Sequence, residues 1–168
     1  MPEAAANLTY LTPEDYGAKG DLSTDDTIAL NNCITDAISK GKAVRALNKY
    51  LVTNTINITG KKLDIEINEI KSTNTSVPAI KYDGEGSVIK INTLTSNYIG
   101  LELNTTTNKC TENTFNINKI DALHCIVYHI VTKAAFGNIF YFSCLSGKHK
   151  SWTTGFPVIN ANSYGITD

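Results

Sequence analysis

The sequence predicts an all-β chain with one N-terminal capping helix, arranged as a single-stranded parallel β-helix. Three observations carry that expectation: one helix-period apolar stripe near the N-terminus, a change to period two after Gly41, and apolar columns recurring at nearly constant spacing. At 168 residues the chain suits one domain with a sizeable core.

The helix comes first. Leu30, Cys33, Ile34, Ala37 and Ile38 follow the i, i+3, i+4, i+7, i+8 spacing of one helical face, which places a helix over about 24–40. Ser23 or Thr24 is the expected cap, with Asp25 and Asp26 in the first turn where the helix dipole favours carboxylates. Lys40 and Gly41 are the matching stop signals. Helix capping accounts for Asp25 and Asp26 without a metal ion. The chain then divides into an N-terminal arm over 1–22 and a domain over 23–168 that opens with this helix.

Beyond Gly41, Ile56/Ile58, Ile80/Tyr82, Leu101/Leu103 and Ile126/Tyr128 recur at offsets of 24, 21 and 25. Ile65/Ile67, Ile89/Ile91, Phe115/Ile117 and Phe140/Phe142 recur at 24, 26 and 25, trailed by Ile70, Leu94, Ile120 and Leu145. Short alternating strands with no helix between them predict a coil of stacked rungs, with aligned Ile, Leu and Phe inside. Lys81, Glu102 and Asn116 then face outward. Asn and Thr gather in the turns, and Asn113 and Asn138, each two residues before a column Phe, form a ladder of turn amides. The helix covers the open N-terminal end of the stack, whose strand edges would otherwise stay unpaired.

Composition narrows the function classes. Fifteen Lys+Arg against sixteen Asp+Glu leave a net charge of −1, which supplies no electrostatic reason to bind nucleic acid or an anionic membrane. No segment approaches the apolar length of a membrane span, and Met1–Ala6 lacks the basic and apolar regions of a secretory signal. Cys33, Cys110, Cys125 and Cys144 contain no CxxC pair and read as reduced, packed thiols, so no metal and no cofactor is expected.

Asp15-Tyr16-Gly17-Ala18-Lys19-Gly20-Asp21, then Ser23-Thr24-Asp25-Asp26-Thr27, then Lys49-Tyr50-Leu51-Val52, resembles the opening of the pectate-lyase-like superfamily. Within it the resemblance is to bacteriophage tailspikes and receptor-binding appendages. Leu22 stands where that pattern has glycine, and Asn48-Lys49-Tyr50 replaces its P-x-G-x-Y turn. The motif covers residues 15 to about 52, and the repeat extends to about 145. It is specific for fold and weakly specific for activity. The resemblance implies a right-handed coil, a homotrimer and a place on the virion tail beside other tail proteins. It also implies a bacterial surface polysaccharide (capsule, O-antigen or teichoic acid) as partner, bound and, in the full-length protein, depolymerised outside the cell. Two alternatives stand beside it: a non-catalytic structural or adhesive β-helix stalk, and a secreted pectinase-type lyase or hydrolase. Tyr164-Gly165-Ile166-Thr167-Asp168 reads as the start of another strand, so the coil is expected to continue and this stretch alone to be inactive.

Glycoside hydrolysis needs two carboxylates, and a lyase needs a base with charge stabilisation. The outward acids are Asp64, Glu66, Glu69, Asp83, Glu85, Glu102, Glu112 and Asp121, each of which also reads as a solvated surface charge. Asp83 and Glu85 lie in Tyr82-Asp83-Gly84-Glu85-Gly86, a turn signature. Glu102 and His129 are the candidate acid–base pair, although Glu102 also reads as a cross-rung partner of Lys81. Trp152, Tyr98, Tyr141 and Tyr164 are candidates for stacking on sugar rings.

Overall fold

The computed structural model describes residues 9–104, 108–129 and 135–152, with side chains throughout except at 128, 129, 135, 136, 142 and 144–152. Strand β1 (Tyr10–Leu11), a 3-10 turn (Pro13–Tyr16) and β2 (Asp21–Asp25) lead into helix α1 (Thr27–Lys40). Then follow β3 (Ala43–Val52), β4 (Ile56–Lys61), β5 (Asp64–Ser72), β6 (Ile80–Glu85) and β7 (Val88–Asn104). The chain continues through β8 (Cys110–Thr111), β9 (Thr114–His129), β10 (Ala135–Phe136) and β11 (Ile139–Trp152). The protein is thus mostly β with one helix, and every strand pair among the described residues is parallel.

The apolar columns are columns of hydrogen-bonded register. Ile65, Ile89, Phe115 and Phe140 follow one another across β5, β7, β9 and β11, as do Ile70, Leu94, Ile120 and Leu145. Ile56, Ile80, Leu101 and Ile126 do the same across β4, β6, β7 and β9, and all four are buried. One strand serves both series: β7 pairs with β5 through Ser96 and with β6 from Leu101. Tyr82 meets Phe115 edge-on at 5.2 Å between ring centroids, and Phe115 stacks on Phe140 at 4.9 Å. Each such side chain contributes about 1.5–3 kcal/mol by leaving water, so the columns dominate stability.

The helix begins later than the sequence suggests. Ser23 and Thr24 do not cap it, because residues 21–25 run as strand β2 beside Lys49 and Leu51 of β3, and Asp26 takes the cap position. The acids explain the difference by binding backbone elsewhere. Asp21 accepts from the N–H groups of Ser23 (2.9 Å) and Thr24 (2.7 Å), holding a local turn. The predicted stripe is right: Leu30, Cys33, Ile34 and Ala37 are buried and Ile38 packs against the core. Gly41, at φ 62°, closes the helix with its N–H on the Ile38 carbonyl, a left-handed position that glycine reaches without Cβ strain. Asn31 ties α1 to the first strand of its series. Its amide donates to the Thr55 carbonyl (3.0 Å) and accepts from the Asn57 N–H (2.8 Å), satisfying groups on the β4 side that faces the helix. Among the described residues no helix is long and apolar enough to cross a membrane.

A turn recurs before each strand of the Ile65 column. Lys62, Gly86, Glu112 and Gly137 all have φ between 54° and 67°. The residue after each turn joins a hydrogen-bonded spine that is buried at Ser87 and Asn113. The Leu63 N–H donates to Ser87 Oγ (3.0 Å), the Ser87 N–H to Asn113 Oδ1 (3.0 Å), and the Asn113 N–H to Asn138 Oδ1 (3.2 Å). The predicted Asn113–Asn138 ladder therefore exists, at 2.8 Å between the two amides.

Tyr82–Gly86 is not a turn as expected. β6 runs on through Glu85, and only Gly86 turns. Gly84 is required by contact: a Cβ there would lie 2.1 Å from the Gly60 carbonyl oxygen of the paired strand and 2.8 Å from Tyr82 Oη. Asp83 is likewise not solvated. It is 4% exposed and accepts from the Asn108 N–H at 2.7 Å.

Candidate functional site

Parallel pairing at an even repeat places equivalent outward residues side by side, so one sheet face becomes a regular array. On the outer face of β5, β7 and β9, Glu66, Lys90 and Asn116 share a register, with Arg45 before them and Tyr141 after. Beside this row the chain bends, and Asn68, Asn92 and Asn118 form a second row. Asn92 Nδ2 donates to Asn68 Oδ1, and Asn118 Nδ2 to Asn92 Oδ1, both at 3.1 Å. Between the rows runs an open groove of about 290 Å³ lined by Leu47, Glu66, Asn68, Lys90, Asn92, Asn116 and Asn118. Leu47 is exposed at one end, and Tyr141, 51% exposed, lies in register with Asn116 beyond the other. An amide carries two donors and two acceptor lone pairs. The ladder uses one N–H and one lone pair of Asn92, leaving the others for a ligand.

Charge on this face is unevenly partnered. Glu66 is held by Arg45 Nε at 3.5 Å, and Glu69 by Lys49 at 3.3 Å. Lys90 and Lys119, both exposed, form no ion pair among the described residues. A second groove, about 370 Å³, lies beside the C-terminal end of α1 between Ile38, Lys42, Lys61, Lys62 and Leu63. Its charges are partly matched, Arg45 by Asp64 (2.7 Å) and Lys61 by Glu85 (2.5 Å).

The acids singled out in the sequence mostly hold structure. Asp25 accepts from Thr27 Oγ1 (2.5 Å) and Thr53 Oγ1 (2.6 Å) and from both backbone N–H groups. Burial would raise its pKa, but these four donors outweigh it and hold the carboxyl below its ordinary value. Asp26 accepts from the N–H groups of Lys19 (2.7 Å) and Gly20 (3.0 Å). No group of three or more His, Cys, Asp or Glu among the described residues could hold a metal ion. Glu14 accepts from the Tyr50 hydroxyl (2.6 Å) and from Asn48 (2.9 Å), and Asp36 pairs with Lys40 and the Tyr16 hydroxyl. The Gly-Ala-Lys-Gly and Asp-Asp segments thus fasten the N-terminal arm to α1 and β3.

Glu102 lies in register between Lys81 and Val127, as expected, and 3.9 Å from Lys81. Its side chain is only 13% exposed, however, with Asn104 Nδ2 at 3.4 Å, so it is not a freely solvated charge. His129 is in register with Asn104 and Trp152, but the side chains of His129 and Trp152 lie outside the described residues, as does all of Tyr164. The Glu102–His129 pair is therefore represented by Glu102 alone. Tyr98 is half-buried and edge-on to His124 at 6.0 Å, a packing contact. Of the two aromatic candidates with described side chains, Tyr98 and Tyr141, it is Tyr141 that lies beside a groove. The Asn68–Asn92–Asn118 row was missed in the sequence, although its offsets of 24 and 26 match those of the apolar columns.

Cys33 and Cys110 are buried free thiols, and Cys125 is buried as well. Burial, with nearby carboxylates, pushes Cys33 and Cys110 up to about 12, so neither supplies a thiolate near neutral pH. No protein-family model, no curated protein and no solved structure matches this chain.

Proposed function

We propose that the chain forms a right-handed parallel β-helix of the phage-tailspike kind and binds a bacterial surface polysaccharide along the outer face of β5, β7 and β9. Two considerations support the coil. Parallel neighbours require a crossover connection, and here strands of the second series serve as that crossover. Burial alternates along β4 over Ile56–Thr59 and along β5 over Asp64–Ile67, as one-sided packing requires.

The observation that carries the binding reading is the Asn68–Asn92–Asn118 ladder beside Glu66, Lys90 and Asn116. Parallel strands repeat at about 4.8 Å, close to the length of one sugar ring in an extended glycan. A glycan lying along the groove meets one amide per ring for its hydroxyls, with Leu47 and Tyr141 available to the apolar faces of its end rings. Trimeric assembly and attachment to other tail proteins belong to the same reading.

The test is a binding panel of purified capsule, O-antigen and teichoic acid, read by calorimetry with the full chain and with Asn92→Ala. Binding to at least one glycan, weakened about tenfold by Asn92→Ala, is the expected result. Loss of one or two neutral hydrogen bonds sets that size. Binding that Asn92→Ala leaves untouched places the site elsewhere, and absence of binding across the panel overturns the reading. New reducing ends or unsaturated uronate in the same mixtures would mark a depolymerase. Their absence favours the adhesive stalk, toward which the partnering of Glu102 by Lys81 and Asn104 already points.

A further inference from the structure

The groove described above carries a charge asymmetry that its amides do not explain, and we infer that it selects glycans bearing an anionic group, carboxylate or phosphate, which Lys90 and Lys119 bind. This inference rests on the glycan-binding reading and narrows it to one substrate class.

Lys90 stands in the middle of the groove, in register between Glu66 and Asn116. Opposite charges directly across a strand pair ordinarily attract. Here Glu66 lies 3.5 Å from Arg45 Nε, and no Glu66–Lys90 ion pair forms among the described residues. Lys119 sits next to Asn118 and in register with Thr93, so no acid lies across from it in β7. Glu69, two strands away in that register, is held by Lys49. Glu66 and Glu69 are therefore neutralised from the N-terminal side, by Arg45 and Lys49; Asp121 follows Lys119 by two residues on the same side of β9, and among the described residues neither Lys90 nor Lys119 forms an ion pair. The whole chain is near neutral at −1, so the asymmetry is local rather than a consequence of net charge.

A neutral glycan gains nothing from an ammonium group that a hydroxyl or amide would not supply. An acidic sugar gains a charge-assisted hydrogen bond while its hydroxyls reach Asn92 and Asn118. Lys90 and Lys119 project from adjacent strands, β7 and β9, and are offset by three residues, since Lys90 pairs with Asn116 and Lys119 with Thr93, which separates them by about 10 Å along the strand direction. Charges on neighbouring or alternate sugars thus fall within reach of one or the other.

The experiment measures binding of the full chain to polygalacturonate, to poly(glycerol phosphate) teichoic acid and to neutral dextran at low and high salt. Lys90→Gln, Lys119→Gln, Lys90→Arg, Asn92→Ala and, in the second groove, Lys62→Gln are compared. Tighter binding to either polyanion than to dextran, weakened by salt, is expected. Lys90→Gln should lower it about tenfold, Lys119→Gln less, and Lys90→Arg should largely retain it, while Lys62→Gln changes nothing. The tighter of the two polyanions identifies the group as carboxylate or phosphate. Binding of dextran as tight as either polyanion, lost in Asn92→Ala but indifferent to both lysines, overturns the charge selectivity and leaves glycan binding standing. Polyanion binding lost in Lys62→Gln and kept in Lys90→Gln moves the site to the second groove and overturns the assignment. Absence of binding to all three and to the wider panel removes both readings together.

Discussion

Replacing Asn113 by alanine should be among the most damaging single changes in this protein, although the side chain is polar and lines neither groove described above. Asn113 is completely buried, and its side chain makes four hydrogen bonds to oxygen and nitrogen partners besides a longer one from Nδ2 to Cys110 Sγ at 3.8 Å. Its oxygen accepts from the Tyr82 hydroxyl (2.6 Å) and the Ser87 N–H (3.0 Å), and its nitrogen donates to the Gly84 carbonyl (3.0 Å) and Asn138 Oδ1 (2.8 Å). Alanine leaves the tyrosine hydroxyl, the Ser87 N–H and the Gly84 carbonyl without their partner. Asn138 Oδ1 keeps the backbone N–H of residue 113. Each orphaned buried group costs about 1–3 kcal/mol. A water entering the vacated volume recovers part of this, so a net loss of about 3–5 kcal/mol is expected, a large share of the ~5–15 kcal/mol of a typical domain.

Asn113→Asp provides the diagnostic comparison. It keeps both acceptor contacts, loses both donors, and sets a carboxylate against two oxygens. Those surroundings raise its folded-state pKa above the unfolded value near 4. Its deficit relative to wild type should therefore be small below pH 4 and grow as pH rises through the raised pKa. Urea unfolding followed by far-UV circular dichroism at several pH values measures both variants. An alanine deficit under about 1 kcal/mol, or an aspartate deficit that does not change with pH, would refute the polar-spine reasoning.

Three further outcomes are expected. Ile117→Asp places an unpaired charge in the column between Ile91 and the strand of Phe142, at a fully buried site, and should prevent cooperative folding as judged by thermal melts. Gly84→Ala should cost more than about 3 kcal/mol, because its Cβ would collide with the Gly60 carbonyl; a loss below about 1 kcal/mol would show that β4 and β6 can separate freely. In alkali, Cys33 and Cys110 stay protonated in the folded protein to about pH 12 but ionise in the unfolded chain near pH 8.5. The folded state then binds more protons, so stability should fall from about pH 8.5 upward by about 1.4 kcal/mol per pH unit for each thiol. Alanine at both positions should flatten that slope up to about pH 10, above which the raised hydroxyls of Tyr16, Tyr50 and Tyr82 lower stability in the same way.

The strand columns and the helix stripe were legible in the sequence because side-chain periodicity is a local property of strand and helix. Ile65, Ile89, Phe115 and Phe140 needed only their spacing to be aligned. The start of the helix was not legible, because Asp21, Asp25 and Asp26 are as fit for capping as for any other backbone contact. Thr53, 28 residues away, and Lys19 decide which one they make. Lys62 and Glu112 occupy the same left-handed turn as Gly86 and Gly137, but their residue types conceal a conformation that glycine advertises.

The groove shows the same division. Tyr141 could be named from composition, whereas the Asn68–Asn92–Asn118 row and the two lysines that form no ion pair among the described residues emerge only when successive strands are brought into register. By itself, then, the sequence determined which residues face inward, since burial of apolar side chains is non-directional and follows their period. Tertiary structure alone decided the partners of the polar groups. Hydrogen bonds and ion pairs are directional and short-ranged, and in this chain most of the decisive ones join residues 20 or more positions apart.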